Sequence, residues 1–166
     1  ARDAAGAFLE ALRLSGGDQA SVITFNEKAV VIGPLGSEIS RLRVALQQIA
    51  IAPLTCLVCG VDAAVEELQG PRHRSSNRSV MIVLTDGRSN PRPASEAVES
   101  ATRAKRAGVQ LFTIGLGSDL DLEALRDIAS LPSYFYQAPS VSDLGRIYST
   151  IAIEIPCPAG NYWGRR

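Results

Sequence analysis

Apolar residues recur along this chain with two different spacings, and these spacings predict alternating helices and strands. Ala5, Phe8, Leu9 and Leu12 repeat every three or four residues, which predicts a helix over residues 3–14. Runs of β-branched and other apolar residues are typical of strands. The predicted strands cover residues 20–25, 29–32, 79–84, 109–115 and 134–136. Five further helices are predicted: one after a capping Ser37, one near Cys59, one from the loop 88–95, one after Asp119, and one after a capping box of Ser140 and Asp143.

The order of these elements predicts an α/β fold with a doubly wound (Rossmann-like), mostly parallel sheet flanked by helices. Residues 20–25 and 29–32 are separated only by Asn26-Glu27-Lys28, which predicts a hairpin and therefore one antiparallel edge strand. A sheet of this type normally begins with a strand, whereas the first predicted element here is a helix. We therefore expect the domain to be N-terminally truncated, with its first strand missing.

Residues 79–84 are apolar at successive positions, which predicts a strand that helices cover on both faces. Asp86 and Gly87 follow this strand, so the carboxylate is expected at the carboxyl edge of the sheet, where open α/β folds bind ligands. Gly87 permits a sharp turn beside it. Two interpretations stay open: Asp86 belongs to a binding site, or it caps the turn through backbone amides.

Composition and charge favour an ordinary globular domain that does not bind nucleic acid. The 166 residues suffice for one domain with a sizeable core, and the formal net charge is zero. A nucleic-acid-binding domain needs a basic surplus or a basic stripe. The densest basic cluster is Arg72-His73-Arg74 with Arg78 nearby, which we interpret as a solvated loop. No apolar run reaches the ~18 residues that a membrane span needs.

Three cysteines, Cys56, Cys59 and Cys157, cannot all pair with one another. The spacing of Cys56 and Cys59 occurs in redox and zinc half-sites, but no second pair accompanies them, and the lone His73 lies in a different loop. We interpret Cys56 and Cys59 as small buried residues at the start of a helix. Cys157 follows the last helix and is a candidate for pairing with an upstream segment in an exported protein.

The element order and three short motifs resemble the von Willebrand factor type A domain. The resemblance covers residues 1–155 and implies a non-enzymatic interaction module for protein or matrix ligands. Its motifs are Ile82-Val83-Leu84-Thr85-Asp86-Gly87, Phe112-Thr113-Ile114-Gly115-Leu116-Gly117, and Thr55 placed seven residues before Asp62-Ala63-Ala64.

The resemblance implies a metal-ion-dependent adhesion site at the carboxyl edge. In that family an Asp-x-Ser-x-Ser loop after the first strand, a Thr and a third-loop Asp hold a divalent cation, usually Mg²⁺, with Mn²⁺ as an alternative. Thr55 matches the Thr and Asp86 matches the third-loop Asp, so the resemblance implies these two metal ligands. An acidic residue of a protein partner would complete the metal shell. The Asp-x-Ser-x-Ser loop has no counterpart in this chain and would lie upstream of Ala1.

Two features set this chain apart from the family pattern. Mg²⁺ requires near-octahedral oxygen coordination, so two side-chain oxygens would hold it weakly, and we expect little or no metal affinity in this fragment. The loop Pro53-Leu54-Thr55-Cys56-Leu57 is apolar, where the family often has glycines and small polar residues. Thr55 is therefore either a metal ligand or a cap for the following helix.

Other functions stay open at this point. One is an accessory subunit domain of an ATP-driven metal chelatase, and another is a metal-free scaffold. A phospho-acceptor receiver domain would use Asp86, but it needs a Lys at the end of a later strand, and Lys105 lies in a predicted helix. An enzyme gains no support, because the sequence shows no P-loop and no nucleophile paired with His73.

Compositional signs favour an extracellular or cell-surface protein of bacterial origin. Arg outnumbers Lys, which is typical of a GC-rich genome, and residues 156–166, predicted to be a C-terminal linker, contain Pro-Cys-Pro. No signal peptide is present, but the chain opens at Ala1 without an initiator Met, so we expect its true beginning to be missing.

Overall fold

The computed structural model of the chain describes residues 2–50 and 53–155, which form six α-helices and five strands. The helices are α1 (Arg2–Ala11), α2 (Ile39–Gln47), α3 (Leu57–Gln69), α4 (Ala94–Arg106), α5 (Leu122–Ile128) and α6 (Leu144–Glu154). The strands are β1 (Ala20–Phe25), β2 (Ala29–Gly36), β3 (Val80–Thr85), β4 (Gln110–Leu116) and β5 (Phe135–Ala138).

Strands β3, β4 and β5 form a parallel sheet in that order, and β1 and β2 form an antiparallel pair. Val80 pairs with Gln110 and Thr113 pairs with Phe135, so α4 and α5 provide the crossovers between neighbouring parallel strands. Five consecutive residues of β4, from Leu111 to Gly115, are buried. The predicted α/β fold with a parallel sheet and an antiparallel strand pair is therefore confirmed.

Within the described residues, no backbone pairing joins the two sheets. Helix α1 nevertheless contacts both, because Ala5 packs against the core clusters that include Val22 of β1 and Ile82 of β3. On the other face α3 contacts both sheets through a cluster that includes Phe25 of β1 and Val83 of β3. The two sheets therefore share the packing of α1 and α3 without pairing to each other.

Burial along β3 alternates, which differs from the continuous burial predicted for this strand. Met81 and Val83 are buried against α3 and α4, whereas Val80, Ile82 and Leu84 on the other face are half-buried against α1 and α6. Helices cover both faces, as predicted. The second face keeps partial exposure because β3 has a strand neighbour on one edge alone in the described part of the chain.

Helix α3 approaches β1 closely at Gly60. A Cβ built on Gly60 would lie 2.7 Å from Cδ1 and 2.8 Å from Cγ of the Phe25 ring. A side chain at this position would have to displace the ring, so glycine is needed for the observed spacing. Gly60 therefore sets the distance between α3 and the hairpin.

The end of α1 differs from the prediction. The helix ends at Ala11 rather than at residue 14, and Leu14–Gly16 form a separate 3-10 turn. Gly17 closes that turn in the left-handed region with a φ of 109°, which glycine adopts without steric cost. The N–H of Arg13 also donates to the Asp18 carboxylate at 2.9 Å. These local contacts replace the last predicted helical turn.

The predicted cap of α2 is wrong, whereas the predicted capping box at α6 is confirmed. Glu38 occupies the N-terminal position of α2, and the Ser37 hydroxyl instead donates to the carbonyl of Asp18 at 2.7 Å. Before α6, the N–H of Ser140 donates to the Asp143 carboxylate at 3.1 Å. The difference arises because Ser37 finds a partner across the fold, which the local sequence does not reveal.

A buried carboxylate fastens β2 to α3. Glu67 of α3 accepts a hydrogen bond from the N–H of Leu35 at 2.8 Å and pairs with the guanidinium of Arg72. Burial raises the pKa of the Glu67 carboxyl, but the hydrogen bond from Leu35 and the pairing with Arg72 outweigh it, so the pKa is lowered. The folded protein therefore stabilises the charged form of Glu67.

In residues 2–50 and 53–155, no helix is both long and apolar enough to cross a membrane. The predicted linker at 156–166 and its Cys157 lie outside the described residues. The predicted domain boundary at residue 155 therefore stays a prediction.

Replacing Gly60 by alanine is expected to lower the free energy of unfolding by about 1–3 kcal/mol, because the new methyl must displace the Phe25 ring. Gly145 of α6 is the matched control, since a Cβ built there meets nothing within 4 Å. Gly145→Ala should raise the stability by up to about 1 kcal/mol through the higher helix propensity of alanine. Urea denaturation followed by circular dichroism measures both changes, and equal stabilities of the two variants would contradict the close approach.

The free energy of unfolding should also depend on the ionisation of Glu67. Because the folded pKa lies below the ordinary value of 4.5, its contribution is fully present above pH 4.5 and is lost as the pH falls through the folded pKa. Glu67→Gln should cost about 1–3 kcal/mol at neutral pH and remove this acid-dependent loss. Urea denaturation at neutral and acidic pH tests this, with the exposed neighbour Glu66→Gln as control. The same pH dependence in Glu67→Gln and in the unmodified protein would refute the assignment.

Candidate functional site

Asp86 lies directly after β3 at the carboxyl edge of the parallel sheet, and its side chain is exposed. Thr85 closes the turn that follows: its hydroxyl donates to the carbonyl of Gly87 at 3.1 Å and accepts from the N–H of Gly87 at 3.3 Å. Among the side-chain hydrogen bonds of residues 2–50 and 53–155, none involves the Asp86 carboxylate. Thr85 rather than Asp86 therefore holds the turn, which leaves the carboxylate available to a ligand.

Thr55 lies beside this turn. Its N–H donates to the carbonyl of Asn90 at 3.2 Å, and the N–H of Asn90 donates to the carbonyl of Thr55 at 3.0 Å. The Oγ1 atom of Thr55 lies 3.3 Å from the position that a Cβ on Gly87 would occupy. The fold thus brings Thr55 and the turn after Asp86 together at one edge of the sheet. Their binding of a metal stays a prediction.

Cys56 and Cys59 form a disulfide, which corrects the interpretation of both as small buried residues that only pack at the start of a helix. Their Cα atoms are 5.3 Å apart, because the first turn of α3 places residues three apart on the same face. Cys56 is buried, as expected, and Cys59 is partly exposed. Cys56 also occupies the N-terminal cap position of α3, and no side-chain cap hydrogen bond forms there. Thr55 therefore does not cap this helix.

A cluster of charged side chains, absent from the sequence interpretation, borders the same edge. Arg88 donates from Nε to Asp119 at 2.9 Å and from Nη1 to Asp121 at 3.0 Å. Asp121 also accepts from the N–H of Ser89 at 2.8 Å. The hydrogen bond to Asp119 and the charges of both carboxylates raise the pKa of the Arg88 guanidinium. These contacts tie the loop after β3 to the loop after β4.

One sequence signal could have revealed this cluster. Arg88 follows the carboxyl end of one predicted strand, and Asp119 and Asp121 follow the carboxyl end of the next. Adjacent parallel strands end at the same edge, so oppositely charged residues in their two loops are expected to meet there.

The described residues offer some of the oxygen donors that a divalent-cation site would need. No group of three His, Cys, Asp or Glu side chains among residues 2–50 and 53–155 is arranged to hold a metal ion. Thr55 and Asp86 supply two oxygens, and the neighbouring Asn90 has a buried side-chain oxygen without a hydrogen-bond partner. Such hard oxygen donors suit Mg²⁺ or Mn²⁺, but Mg²⁺ takes about six ligands. The donor chemistry fits a divalent cation, whereas the donor number does not complete its shell.

Two residues considered for other chemistries lie away from Asp86. Lys105 donates from Nζ to the carbonyls of Asp127 and Ala129 at the end of α5. His73 Nε2 lies 3.3 Å from the Ser79 hydroxyl, just before β3 begins. Both positions belong to the amino edge of the sheet. Receiver chemistry through Lys105 and general-base chemistry through His73 therefore gain no support at Asp86.

Comparison with known proteins agrees with the fold and with the resemblance found in the sequence. The family model described as von Willebrand factor type A domain matches residues 1–150. Matrilin-1 of Gallus gallus is 40% identical over 73 residues, which cover 43% of this chain and 14% of that protein. Matrilin-4 of Mus musculus is 28% identical over 152 residues, which cover 86% of this chain and 23% of that protein. The chain spans less than a quarter of the length of these curated relatives.

Solved structures show the same fold. Proximal thread matrix protein 1 from the mussel byssus, described with a zinc occupied MIDAS motif, superposes with a TM-score of 0.80 and 23% identity. The match covers 91% of this chain and 38% of that chain. At this level of identity the likeness supports the fold alone.

Replacing Thr85 by valine should speed hydrogen exchange at the Gly87 amide and lower the free energy of unfolding by about 1 kcal/mol. Both effects are expected because the variant loses the hydroxyl that closes the turn after β3. Thr85→Ser is the matched control, since it keeps the hydroxyl. Amide exchange measured by NMR distinguishes them, and equal Gly87 exchange rates in all three proteins would rule out this role for Thr85.

Proposed function

The chain belongs to the von Willebrand factor type A domain family, and we propose that it is a non-enzymatic interaction module for protein or matrix ligands. Ligands bind at the carboxyl edge beside Asp86, and binding is metal-dependent when the upstream Asp-x-Ser-x-Ser loop is present. The observation that carries the proposal is the 3.3 Å approach of Thr55 Oγ1 to the Cβ position of Gly87. This approach puts both family-matched residues at one edge.

The contacts that restrain this edge support a binding role. The disulfide follows Thr55 directly, and backbone hydrogen bonds connect Thr55 to Asn90. Arg88 is fixed by two carboxylates from the loop after β4. Loops that are ordered before a ligand arrives lose less conformational entropy on binding. The edge therefore offers Asp86 in a prearranged setting.

The lack of strand pairing between the two sheets supports the proposal that an upstream segment completes the domain. In the described residues β1 and β3 each pair along one edge alone, and α1 and α3 contribute to the cores of both sheets. An inserted strand would pair with the other edges of β1 and β3 and cover the half-buried Ile82 and Leu84. If it runs parallel to β3, it ends at the same edge and carries the Asp-x-Ser-x-Ser loop to Thr55 and Asp86.

The oxygen donors at this edge determine the chemistry of the partner. Thr55 and Asp86 would bind Mg²⁺ or Mn²⁺ together with the upstream hydroxyl and carboxylate groups. A bound cation supplies positive charge that attracts a carboxylate, so the partner contributes an acidic side chain. The mussel byssus protein, described with zinc in its MIDAS motif, supports a divalent-cation site in this fold.

An extracellular setting fits this function. The relatives include matrilins and a protein named for the thread matrix of the mussel byssus. The Cys56–Cys59 disulfide agrees with this setting, because disulfides persist mainly in oxidising compartments. We therefore propose that the protein acts outside the cell or at its surface.

Calorimetric titration with Mn²⁺ tests the metal part of the proposal. The probe is Mn²⁺ alone, added to the natural polypeptide that contains this chain. Asp86→Ala and Thr55→Ala should each weaken binding by about tenfold or more, because each variant loses a ligand. The 166-residue chain by itself should bind Mn²⁺ far more weakly than the natural polypeptide does.

The matched control is Asp127→Ala, which removes an exposed carboxylate on α5 at the opposite edge of the sheet. Its Mn²⁺ affinity should equal that of the unmodified protein. Unchanged Mn²⁺ affinity in Asp86→Ala would contradict the metal-site assignment. A folded natural polypeptide that binds no Mn²⁺ would show that the module is a metal-free scaffold.

A further inference from the structure

Two basic segments without acidic residues lie at the amino edge of the parallel sheet. Residues 70–79 contain three arginines, residues 102–110 contain two arginines and a lysine, and neither segment contains Asp or Glu. We call these six side chains the amino-edge patch. Its members are Arg72, Arg74, Arg78, Arg103, Lys105 and Arg106.

The fold brings the two segments together. The N–H of Gln110 donates to the carbonyl of Ser79 at 2.9 Å, and Val80 pairs with Gln110 at the start of the parallel ladder. Arg78 directly precedes Ser79, and Arg106 ends α4 four residues before Gln110. The two segments, which residues 80–101 separate in sequence, therefore form one basic surface.

The loop that carries the first three arginines is held in place rather than freely solvated. The Gln19 side chain donates to the carbonyl of Arg72 at 2.8 Å and accepts from the N–H of Arg74 at 2.9 Å. Asn77 Nδ2 donates to the carbonyl of Gly17 at 3.0 Å. These contacts present the arginines in a defined arrangement, which lowers the entropy lost when a ligand binds.

Three arginines of the patch are available to an anion. Arg72 pairs with Glu67, and Arg103 lies 4.0 Å from Asp62. Arg74, Arg78 and Arg106 are exposed and form no ion pair among the described residues, although Arg74 donates from Nη1 to the carbonyl of Gly17 at 3.0 Å. A guanidinium offers a planar fork of N–H donors that matches the oxygens of sulfate and phosphate groups. The patch therefore has the chemistry of a polyanion-binding surface.

We propose that the amino-edge patch is a second interaction surface, which binds a sulfated polysaccharide. Ser75 and Ser76 are exposed between the arginines and supply hydroxyls for hydrogen bonds to a sugar chain. Neither segment contains Phe, Tyr or Trp on which bases could stack, which disfavours single-stranded nucleic acid. The single branched apolar residue, Val109, is buried, so the patch has no side chain to insert into a membrane.

Charge separation along the sheet supports a patch that acts independently of the carboxyl edge. The loops at the carboxyl edge contain Asp86, Asp119, Asp121 and Glu123 against Arg88 and Arg92, whereas the amino-edge patch has six basic side chains with Asp127 beside Lys105. A polyanion is therefore attracted more strongly to the amino-edge patch than to the carboxyl edge. The two surfaces allow a protein ligand and a polysaccharide to bind at the same time.

Binding of heparin, measured by isothermal titration calorimetry at several salt concentrations with EDTA present, tests this proposal. Arg78→Glu/Arg106→Glu should weaken heparin binding about tenfold and reduce its salt dependence, because two charge contacts are lost. The matched control is the double variant Arg41→Glu/Arg146→Glu, which changes the net charge by the same amount outside the patch. The side chains of Arg41 and Arg146 are 82% and 79% exposed. The heparin affinity of this control should stay within about twofold.

Each alternative result overturns the proposal. Equal weakening by the two double variants would show that binding depends on overall charge and not on this surface. Equal affinity for desulfated heparin would exclude a sulfate-binding role. Tighter binding of an RNA oligonucleotide or of phosphatidylserine vesicles at the same salt concentration would identify a different class of partner. Because EDTA is present, and because Asp86→Ala should leave heparin binding unchanged, the outcome is independent of the metal site.

Discussion

Packing of α3 against both sheets at once is the interaction on which the rest of the structure depends. Gly60 lies against Phe25 of β1, while other apolar side chains of α3 share a core with β3. No strand pairing connects β1 to β3 in the described residues, so apolar burial, together with a few hydrogen bonds between the hairpin and α3, holds them in place. Because α3 begins just after Thr55, its position on β3 also determines how close Thr55 comes to Asp86.

Features that depend on neighbouring residues could be predicted from the sequence. An apolar run that ends in Asp86-Gly87 indicates where a strand stops, and a short polar connection between strands indicates a hairpin. The capping box of Ser140 and Asp143 is similarly local, since both partners lie within one turn. These contacts form wherever the surrounding chain lies, so the fold class and the position of Asp86 followed from the sequence.

Features that depend on distant partners could not be predicted in the same way. The spacing of Cys56 and Cys59 suits a helical turn, a metal half-site or a disulfide, and the start of α3 must be known to choose among them. Arg88 meets partners 31 and 33 residues away, which requires the order of the parallel strands. The role of Thr85 depends on the direction of its hydroxyl at a buried strand end. Predicting each of these contacts requires knowledge of the tertiary structure.

The hairpin is attached to the rest of the domain by side-chain packing and a few isolated hydrogen bonds, without strand pairing to β3, so we expect it to form a separate cooperative unit. Every residue of β1 keeps partial exposure, whereas five consecutive residues of β4 are buried. The hairpin can therefore separate from α1 and α3 while the parallel sheet stays folded, at a lower free energy than global unfolding. Thr55 lies where these units meet, close to the turn after Asp86. A ligand that contacts both units would suppress this partial opening. The hairpin would therefore become more firmly attached as more of the protein binds the ligand.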